Sequence, residues 1–394
     1  NKKTFLNVDS AGNMITLNSD GTVKYLSSET GIDLNSNILF NSDNSFKNSS
    51  TIHDVIVDNG NYTPSELITE INNQLKENIE NTQIVTTEIS YYDDFITAST
   101  VQLSDRKIIV GGKYYDGIKQ NMIVCRYITT GILDTTFNTT GKLTISIDIN
   151  DDELSDIVYT SHDNNLIFGG TSISDVNKTK DFIVGRINTN GTLDRGFGTD
   201  KTGSVRHNFG EVTINDVLQS GDDVLTSVVC QNYDKTTGNS NIFAGGYSYN
   251  ITTNNYDFVL VKMNKDGIKD TSFGTIVTGT TRNGKKRYAT ELLTYDDDIL
   301  TCMALSGTDD AKLVVGGYSY NRTSNKYECI VVGINTVNSD LDTTFNTNGI
   351  LKFSFNSGTA DSILRCITVY SRADNNTDYL VGGYVFNLVT ETYD

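Results

Sequence analysis

The residue types that most often carry out catalysis are sparse in this sequence and do not occur in catalytic patterns. There are three histidines, His53, His162 and His207, and none belongs to an HxH or HExxH arrangement of the kind that binds zinc. No G-x-S-x-G turn presents a nucleophilic serine, and no GxxxxGK[ST] or GxGxxG loop is available to hold phosphate. The sequence therefore favours no nucleophilic, metal-dependent or nucleotide chemistry, and we expect no cofactor.

The cysteines also lack a functional pattern. There are five of them, Cys125, Cys230, Cys302, Cys329 and Cys366. Because the number is odd and no pair has CxxC spacing, the sequence indicates neither a disulfide framework nor a zinc site. We expect all of them to be small, buried hydrophobic residues on strands, which fits synthesis in a reducing compartment.

Paired acids are the most regular site candidates: Asp93-Asp94, Asp151-Asp152, Asp222-Asp223 and Asp297-Asp298. Their oxygens could gather around calcium, but they lack the alternating D-x-D-x-D spacing of a calcium loop, and acids before a strand usually end a turn. A glycosidase would need two acids that converge across one sugar ring, whereas acids repeated once per unit are spread around the fold. A hydrolase with a central-channel site is therefore an alternative rather than the leading hypothesis.

The formal net charge of −18 over 394 residues argues against some classes of partner. A surface this acidic repels phosphate backbones and anionic lipids, so we expect no nucleic-acid partner. No stretch approaches the roughly 20 apolar residues that span a bilayer, so we also expect no membrane insertion.

The elements that would position any site are defined by an internal repeat. A glycine doublet behind a short apolar run occurs five times, at Gly111-Gly112, Gly169-Gly170, Gly245-Gly246, Gly316-Gly317 and Gly382-Gly383. Upstream of each doublet lies one of the acid pairs, or Asp361-Ser362 in the last copy. Downstream lies a D-x-x-F signature, with Asp134 and Phe137, Asp194 and Phe197, Asp270 and Phe273, and Asp342 and Phe345. Three signatures in a fixed order identify at least five related units.

Each unit contains about four short runs rich in Val, Ile, Phe and Tyr, separated by Gly, Asn and Asp. In the second unit these runs are 156–160, 165–171, 181–188 and 204–209. Glycine inside a strand is costly unless another backbone or a bulky ring approaches closely, so we expect such an approach at each doublet. The D-x-x-F aspartates should cap a turn while their phenylalanines pack between units. Four strands per repeated unit predict an all-β propeller.

The predicted units are 91–150, 151–220, 221–294, 295–359 and an incomplete 360–394. The run from Asp181 to Gly198, which reads DFIVGRINTNGTLDRGFG, resembles the delta-60 repeat. The resemblance extends over residues 91–394 and implies a propeller-like β-fold, but it implies little about activity. Departures occur at Lys262 and Gly333, which replace the arginine found at Arg186.

The first ninety residues lack the repeat and form a predicted α+β assembly or attachment segment. Residues 14–17 and 22–26 flank a turn and predict a hairpin. Thr63 and Glu66 form a capping box with Pro64 between them, which predicts one helix over about 64–78. Residues 55–75 resemble a segment of structural proteins of large DNA viruses. That resemblance implies a virion component.

The leading hypothesis is a non-catalytic propeller scaffold of a virion, surface-exposed and in contact with capsid or other structural proteins, or with glycans. Tyrosines that follow the glycine doublets, Tyr247, Tyr249, Tyr318 and Tyr320, are the predicted binding residues on a loop rim. The alternatives are a bacterial extracellular or cell-surface adhesin that binds carbohydrate, and the hydrolase described above.

Overall fold

The computed structural model divides the chain into two compact units, Asn1–Thr86 and Thr87–Asp394. It describes residues 7–8, 14–17, 23–25, 32–33, 61–62, 87, 89–214, 217–231, 240–288, 297–306, 311–355, 360–371, 377–387 and 392–393.

The described part of the first unit consists of short antiparallel strands. They are β1 (Asn7–Val8), β2 (Met14–Leu17), β3 (Val23–Tyr25), β4 (Ile32–Asp33) and β5 (Asn61–Tyr62). Strand β2 pairs with β3 where the sequence predicts a hairpin, and β4 pairs with β5. The predicted helix over 64–78 lies outside the described residues.

The second unit is a series of antiparallel sheets, each built from strands of one repeat in chain order. The first sheet contains β6 (Asp94–Gln102), β7 (Lys107–Tyr115), β8 (Gln120–Tyr127) and β9 (Lys142–Ile145), and the second contains β10 (Asp152–Thr160), β11 (Asn165–Ile173), β12 (Lys180–Ile187) and β13 (Ser204–His207). A hairpin of β14 (Glu211–Ile214) and β15 (Val217–Ser220) follows the second sheet.

The third sheet contains β16 (Asp223–Cys230), β17 (Ile242–Asn250), β18 (Asn255–Met263) and β21 (Lys285–Arg287), with the hairpin of β19 (Ile276–Thr278) and β20 (Thr281–Arg282) inserted before its last strand. The fourth contains β22 (Asp298–Ser306), β23 (Lys312–Asn321), β24 (Lys326–Asn335) and β25 (Ile350–Phe353), and the fifth β26 (Ser362–Ser371), β27 (Thr377–Asn387) and β28 (Thr392–Tyr393).

These sheets confirm the predicted all-β fold: the first four have four strands each, and the fifth has three among the described residues. The main difference lies in the first strand of each unit. In the second unit it begins at Asp152 rather than at the predicted residue 156. The second acid of each pair is thus already part of a strand, and the acid pair does not form the turn that precedes it.

The hydrophobic core lies between consecutive sheets. Each cluster of buried residues takes its members from two neighbouring sheets; one, for example, joins Val124 of β8 to Leu154 of β10 and Phe168 of β11. Similar clusters join the second sheet to the third, the third to the fourth and the fourth to the fifth. No sheet buries its apolar residues alone, as expected for stacked repeats.

The glycine doublets allow this stacking, and the two glycines of a pair serve different contacts. A Cβ built on the second glycine, Gly246, would lie 2.0 Å from the carbonyl oxygen of Val224 on the adjacent strand of its own sheet. A Cβ on the first glycine of the second unit, Gly169, would lie 2.7 Å from a methyl group of Leu225, which belongs to the next sheet. The predicted close approach is therefore to backbone at one glycine and to a side chain at the other.

At three of the four junctions a leucine of the later sheet covers the first glycine of the earlier sheet, whereas Met303 takes that place against Gly245. Leu154 covers Gly111 and Leu364 covers Gly316, in each case from the later sheet onto the earlier one. The counterpart in the first sheet is Ile96, which is 76% exposed, whereas Leu225 is fully buried.

The D-x-x-F aspartates lie in a turn after the third strand of each sheet. A carboxylate oxygen of Asp134, Asp194, Asp270 and Asp342 accepts a hydrogen bond from the backbone N–H two residues later, at 2.8–3.0 Å. A cation bonds the other oxygen, as Arg126 Nε does for Asp134 at 2.8 Å. Phe137, Phe197 and Phe273 are fully buried in the clusters between sheets, and Phe345 is partly buried there.

Candidate functional site

The first strand of each sheet carries a β-bulge at the same repeat position. The register shifts occur between Ile96 and Ala98 in β6, and at the equivalent places in β10, β16, β22 and β26. A bulge re-aims the extra residue out of the regular ladder. The residues at the bulges are Thr97, Ser155, Thr226, Thr301 and Arg365.

All five bulge residues line one cavity with a volume of about 330 Å³. This cavity therefore lies where the first strands of the five sheets converge. A volume near the lower end of the range for small-ligand sites, roughly 300–1,000 Å³, suits one or two compact ring-shaped groups.

The threonine hydroxyls at three of the bulges connect their first strand to the next one. Thr97 Oγ1 donates to the carbonyl oxygen of Leu154 at 2.6 Å, and Thr226 Oγ1 donates to that of Leu300 at 2.9 Å. Thr301 Oγ1 makes the same bond to Leu364 O at 2.7 Å. Each hydroxyl uses its hydrogen in this bond but keeps its oxygen lone pairs, so the cavity wall presents hydrogen-bond acceptors.

Two tyrosines that directly follow glycine doublets complete the wall. Tyr247 and Tyr318 both line the cavity and are half-buried. Burial raises the pKa of Tyr247, and it raises the pKa of Tyr318 to about 12. Both phenols are therefore neutral at physiological pH and can donate as well as accept a hydrogen bond.

Tyr249 and Tyr320 do not line this cavity but extend the aromatic surface away from it. Tyr256 stacks edge-to-face against both Tyr247 and Tyr249, with ring centroids 5.4 and 5.2 Å apart. Tyr327 repeats the arrangement in the fourth sheet, at 5.3 Å from Tyr318 and 5.2 Å from Tyr320. The structure thus divides the four predicted rim tyrosines into two in the cavity and two at the β17–β18 and β23–β24 hairpins.

The rest of the wall consists of three charged residues and the aliphatic residues Leu154, Val224, Leu225 and Ile299. Lys113 Nζ forms an ion pair with Glu153 at 3.0 Å, so one cation and one anion of the lining neutralise each other. Arg365 lies with its guanidinium 5.5 Å from the ring centroid of Tyr384, the tyrosine that follows the last glycine doublet. The described cavity lining therefore carries one more positive than negative charge, in a chain whose net charge is −18.

The paired acids serve the contacts between sheets. Asp151 Oδ1 accepts from the backbone N–H of Gln120 at 2.8 Å, and Asp222 Oδ1 accepts from that of Lys180 at 3.0 Å. Asp297 and Asp361 make the same bond to the preceding sheet, to the N–H groups of Tyr256 and Tyr327, at 2.9 Å each. In the second to fifth sheets, the first acid of the signature thus joins its own sheet to the third strand of the sheet before it.

The second acid is buried in three of the pairs, at Asp152, Asp223 and Asp298, and exposed in the first pair, at Asp94. Asp152 accepts from Lys119 Nζ and from Ile147 N, both at 2.9 Å. Asp223 accepts from Phe209 N at 2.7 Å, and burial raises the pKa of this carboxyl to about 7. Among the residues that the structure describes, no cluster of His, Cys, Asp and Glu could hold a metal ion.

The expectation of five buried cysteines is wrong for one of them. Cys125, Cys302 and Cys329 are buried and Cys230 is half-buried, but Cys366 is exposed on β26. The described residues place no following sheet against this face of the fifth sheet, which is why a residue of the apolar strand pattern remains accessible there. Desolvation raises the pKa of Cys125 to about 11, so this buried thiol stays protonated.

Sequence reasoning missed the residues that define the cavity. The bulge position was visible as the fifth residue of each acid signature, a hydroxyl residue in four units and Arg365 in the fifth. Its role depends on the bulge, and no residue type in the sequence predicts that bulge. Lys113 and Glu153 belong to different units and carried no recognisable motif.

Comparison with known proteins supports the fold. Residues 103–137 and 162–197 match the family described as "Domain of unknown function (DUF5122) beta-propeller". The fold is a β-propeller. No curated protein matches the sequence.

Among solved structures, extracellular domains 1–2 of Drosophila semaphorin 1b align over 75% of this chain at 11% identity, with a TM-score of 0.35, and the chain spans 63% of those domains. The endo-arabinase of Bacteroides thetaiotaomicron aligns over 78% of this chain and 93% of its own length, at 12% identity and a TM-score of 0.32. Similarities this distant identify no activity. In the described residues, no helix is long and apolar enough to cross a membrane.

Proposed function

We propose that the chain is a non-catalytic β-propeller that binds a glycan in the cavity where its first strands converge. The observation that carries this proposal is the composition of the wall, in which every sheet contributes its bulge residue and Tyr247 and Tyr318 stand beside them. Glycans present alternating hydroxyl groups and apolar C–H faces. The wall offers hydrogen-bonding groups for the hydroxyls and tyrosine rings for the C–H faces.

The aromatic surface matches the apolar face of a sugar ring. Tyrosine supplies a large flat area at little entropic cost and a hydroxyl at its edge. The bulge hydroxyls, already fixed by bonds to Leu154, Leu300 and Leu364, offer their lone pairs to sugar hydroxyls without further ordering.

The carboxylates support a binding role more than hydrolysis. Glu153 is the one carboxylate among the described residues of the lining, and Lys113 holds it in an ion pair. A glycosidase acts with two carboxyl groups, about 5–10 Å apart, on either side of the bond to be cleaved. With one carboxylate in an ion pair, the wall presents no such acid–base couple.

A glycan array with the purified chain tests the proposal, followed by calorimetric titration of the best-bound oligosaccharide. Tyr318→Ala removes the ring and should weaken binding roughly tenfold or more. Tyr318→Phe keeps the ring and should lose less. Tyr370→Ala is the matched control, because Tyr370 is an exposed tyrosine near the end of β26 distant from its bulge.

Three results would contradict the proposal: no glycan bound, binding unchanged by Tyr318→Ala, or turnover of the bound oligosaccharide. The first would favour a protein partner at the same surface. The last would favour the hydrolase hypothesis, and replacement of Glu153 by Gln would then have to abolish that turnover.

Membership of the delta-60 repeats and a place in a virion are finer proposals that rest on sequence resemblance. The five units support membership of the delta-60 repeats, and the segment 55–75 supports the place in a virion. Mass spectrometry of purified particles tests the virion location, with capsid proteins as the expected neighbours. Recovery of the chain only from cell surfaces or culture medium would favour the extracellular adhesin instead.

A further inference from the structure

Arg365 differs from the residues at the same position in the earlier repeats, and this difference changes the chemistry of the cavity. The four earlier bulges carry Thr97, Ser155, Thr226 and Thr301, whereas the fifth carries an arginine. The threonines are occupied by their bonds to the next first strand. Arginine has no hydroxyl to make that bond, and its longer side chain instead presents five N–H donors.

The guanidinium of Arg365 lies among tyrosines rather than acids. It contacts the face of Tyr384, and its positive charge acts on Tyr318, where it opposes the rise in pKa caused by burial. Among the described residues, no carboxylate lies within ion-pair distance of it. The other cation of the lining, Lys113, is already neutralised by Glu153 at 3.0 Å.

The charged N–H donors of Arg365 next to aromatic rings favour sugars that carry an acid group. Arginine bonds a carboxylate with two parallel N–H groups, and such charge-assisted bonds are about twice as strong as neutral ones. Lysine would act only as a point charge. The tyrosines can hold the ring of a sugar while the guanidinium holds an acid group attached to that ring.

Resting on the proposed function, we infer that the glycan is acidic, with a uronic-acid residue whose carboxylate is held by Arg365. Because the surface of the chain is acidic, binding of an acidic glycan depends on this one arginine. A molecule with net charge −18 repels anions in general, so an acidic ligand requires a local cation to hold it, and Arg365 is placed to do so.

The test compares two forms of one oligosaccharide, oligogalacturonate and its fully methyl-esterified counterpart, in which a methyl group removes the charge of each carboxyl group. In calorimetric titrations we expect the acid to bind about 10- to 100-fold more tightly than the ester. Arg365→Gln should remove that difference, because it should weaken binding of the acid far more than binding of the ester. Arg195→Gln is the matched control, because Arg195 is exposed in a D-x-x-F turn and is not part of the cavity lining.

Arg365→Lys separates the fork geometry from the charge, and should recover only part of the preference for the acid. Equal affinity for the two forms, or a preference that survives Arg365→Gln, overturns the inference and leaves the proposed function standing. If neither form binds while neutral glycans of the array do, the inference is also wrong. If no glycan binds at all, both fail.

Discussion

Replacement of Leu225 by alanine tests the stacking of consecutive sheets directly. Leu225 is fully buried and covers Gly169 of the preceding sheet. The change removes three carbon atoms, worth about 0.8 kcal/mol of transfer free energy each, and leaves a cavity. We therefore expect the free energy of unfolding to fall by about 3 kcal/mol, within the range for buried leucines.

Replacement by alanine at the equivalent position of the first sheet provides the control. Ile96 is 76% exposed, so Ile96→Ala should cost about 0.5 kcal/mol or less. Urea denaturation followed by circular dichroism measures both variants against the wild type, and hydrogen exchange then locates the weakened sheets. Equal losses for the two variants would refute the argument that Leu225 acts through the neighbouring sheet.

Three further predictions concern the glycines, the buried acids and metal ions. Gly246→Ala should destabilise the fold by about 3 kcal/mol, because the new Cβ would lie 2.0 Å from a backbone oxygen. Gly382→Ala should change stability by less than about 1 kcal/mol, because its Cβ would meet only the Cys366 sulfur. Comparable losses of the two variants in urea denaturation would contradict this contrast. The pKa of Asp223 is about 7 in the folded protein and near 4 in the unfolded chain, so between those values the folded state binds more protons and stability falls as the pH rises. Asp223→Asn should flatten that decline between pH 5 and pH 8, and an unchanged slope would show that burial does not penalise the charged carboxylate. Addition of EDTA should leave the melting temperature unchanged, because the paired acids bond backbone N–H groups of the neighbouring sheet; a drop reversed by calcium would restore the metal hypothesis.

The repeat signatures predict the fold because they encode contacts that recur. The glycine doublets mark strand interiors where a side chain cannot fit, and the structure supplies the obstacle in the carbonyl oxygens of Val224 and its equivalents. The D-x-x-F spacing likewise follows from a turn whose aspartate accepts a backbone N–H two residues on. Local geometry of this kind leaves a trace in the spacing of residue types.

The candidate site is less predictable because it depends on contacts between distant units. Lys113 and Glu153 meet only through the stacking of the first two sheets. Arg365 faces Tyr384 on the neighbouring strand of its own sheet, but its position in the cavity depends on a bulge that displaces one residue of β26. Tyr247 and Tyr318 were selected for their residue type, and only the structure separates them from Tyr249 and Tyr320.

The one-way packing of leucine onto glycine has a consequence for how such a chain can evolve. The second unit, for example, carries both halves of the junction, because Gly169 receives Leu225 of the next sheet and Leu154 covers Gly111 of the preceding one. Duplication of a unit therefore creates a new junction that is already complementary on both sides, with no compensating substitution elsewhere. The bulge residue, by contrast, can vary from unit to unit, so that the lining of the cavity can diversify while the leucine–glycine contacts are kept.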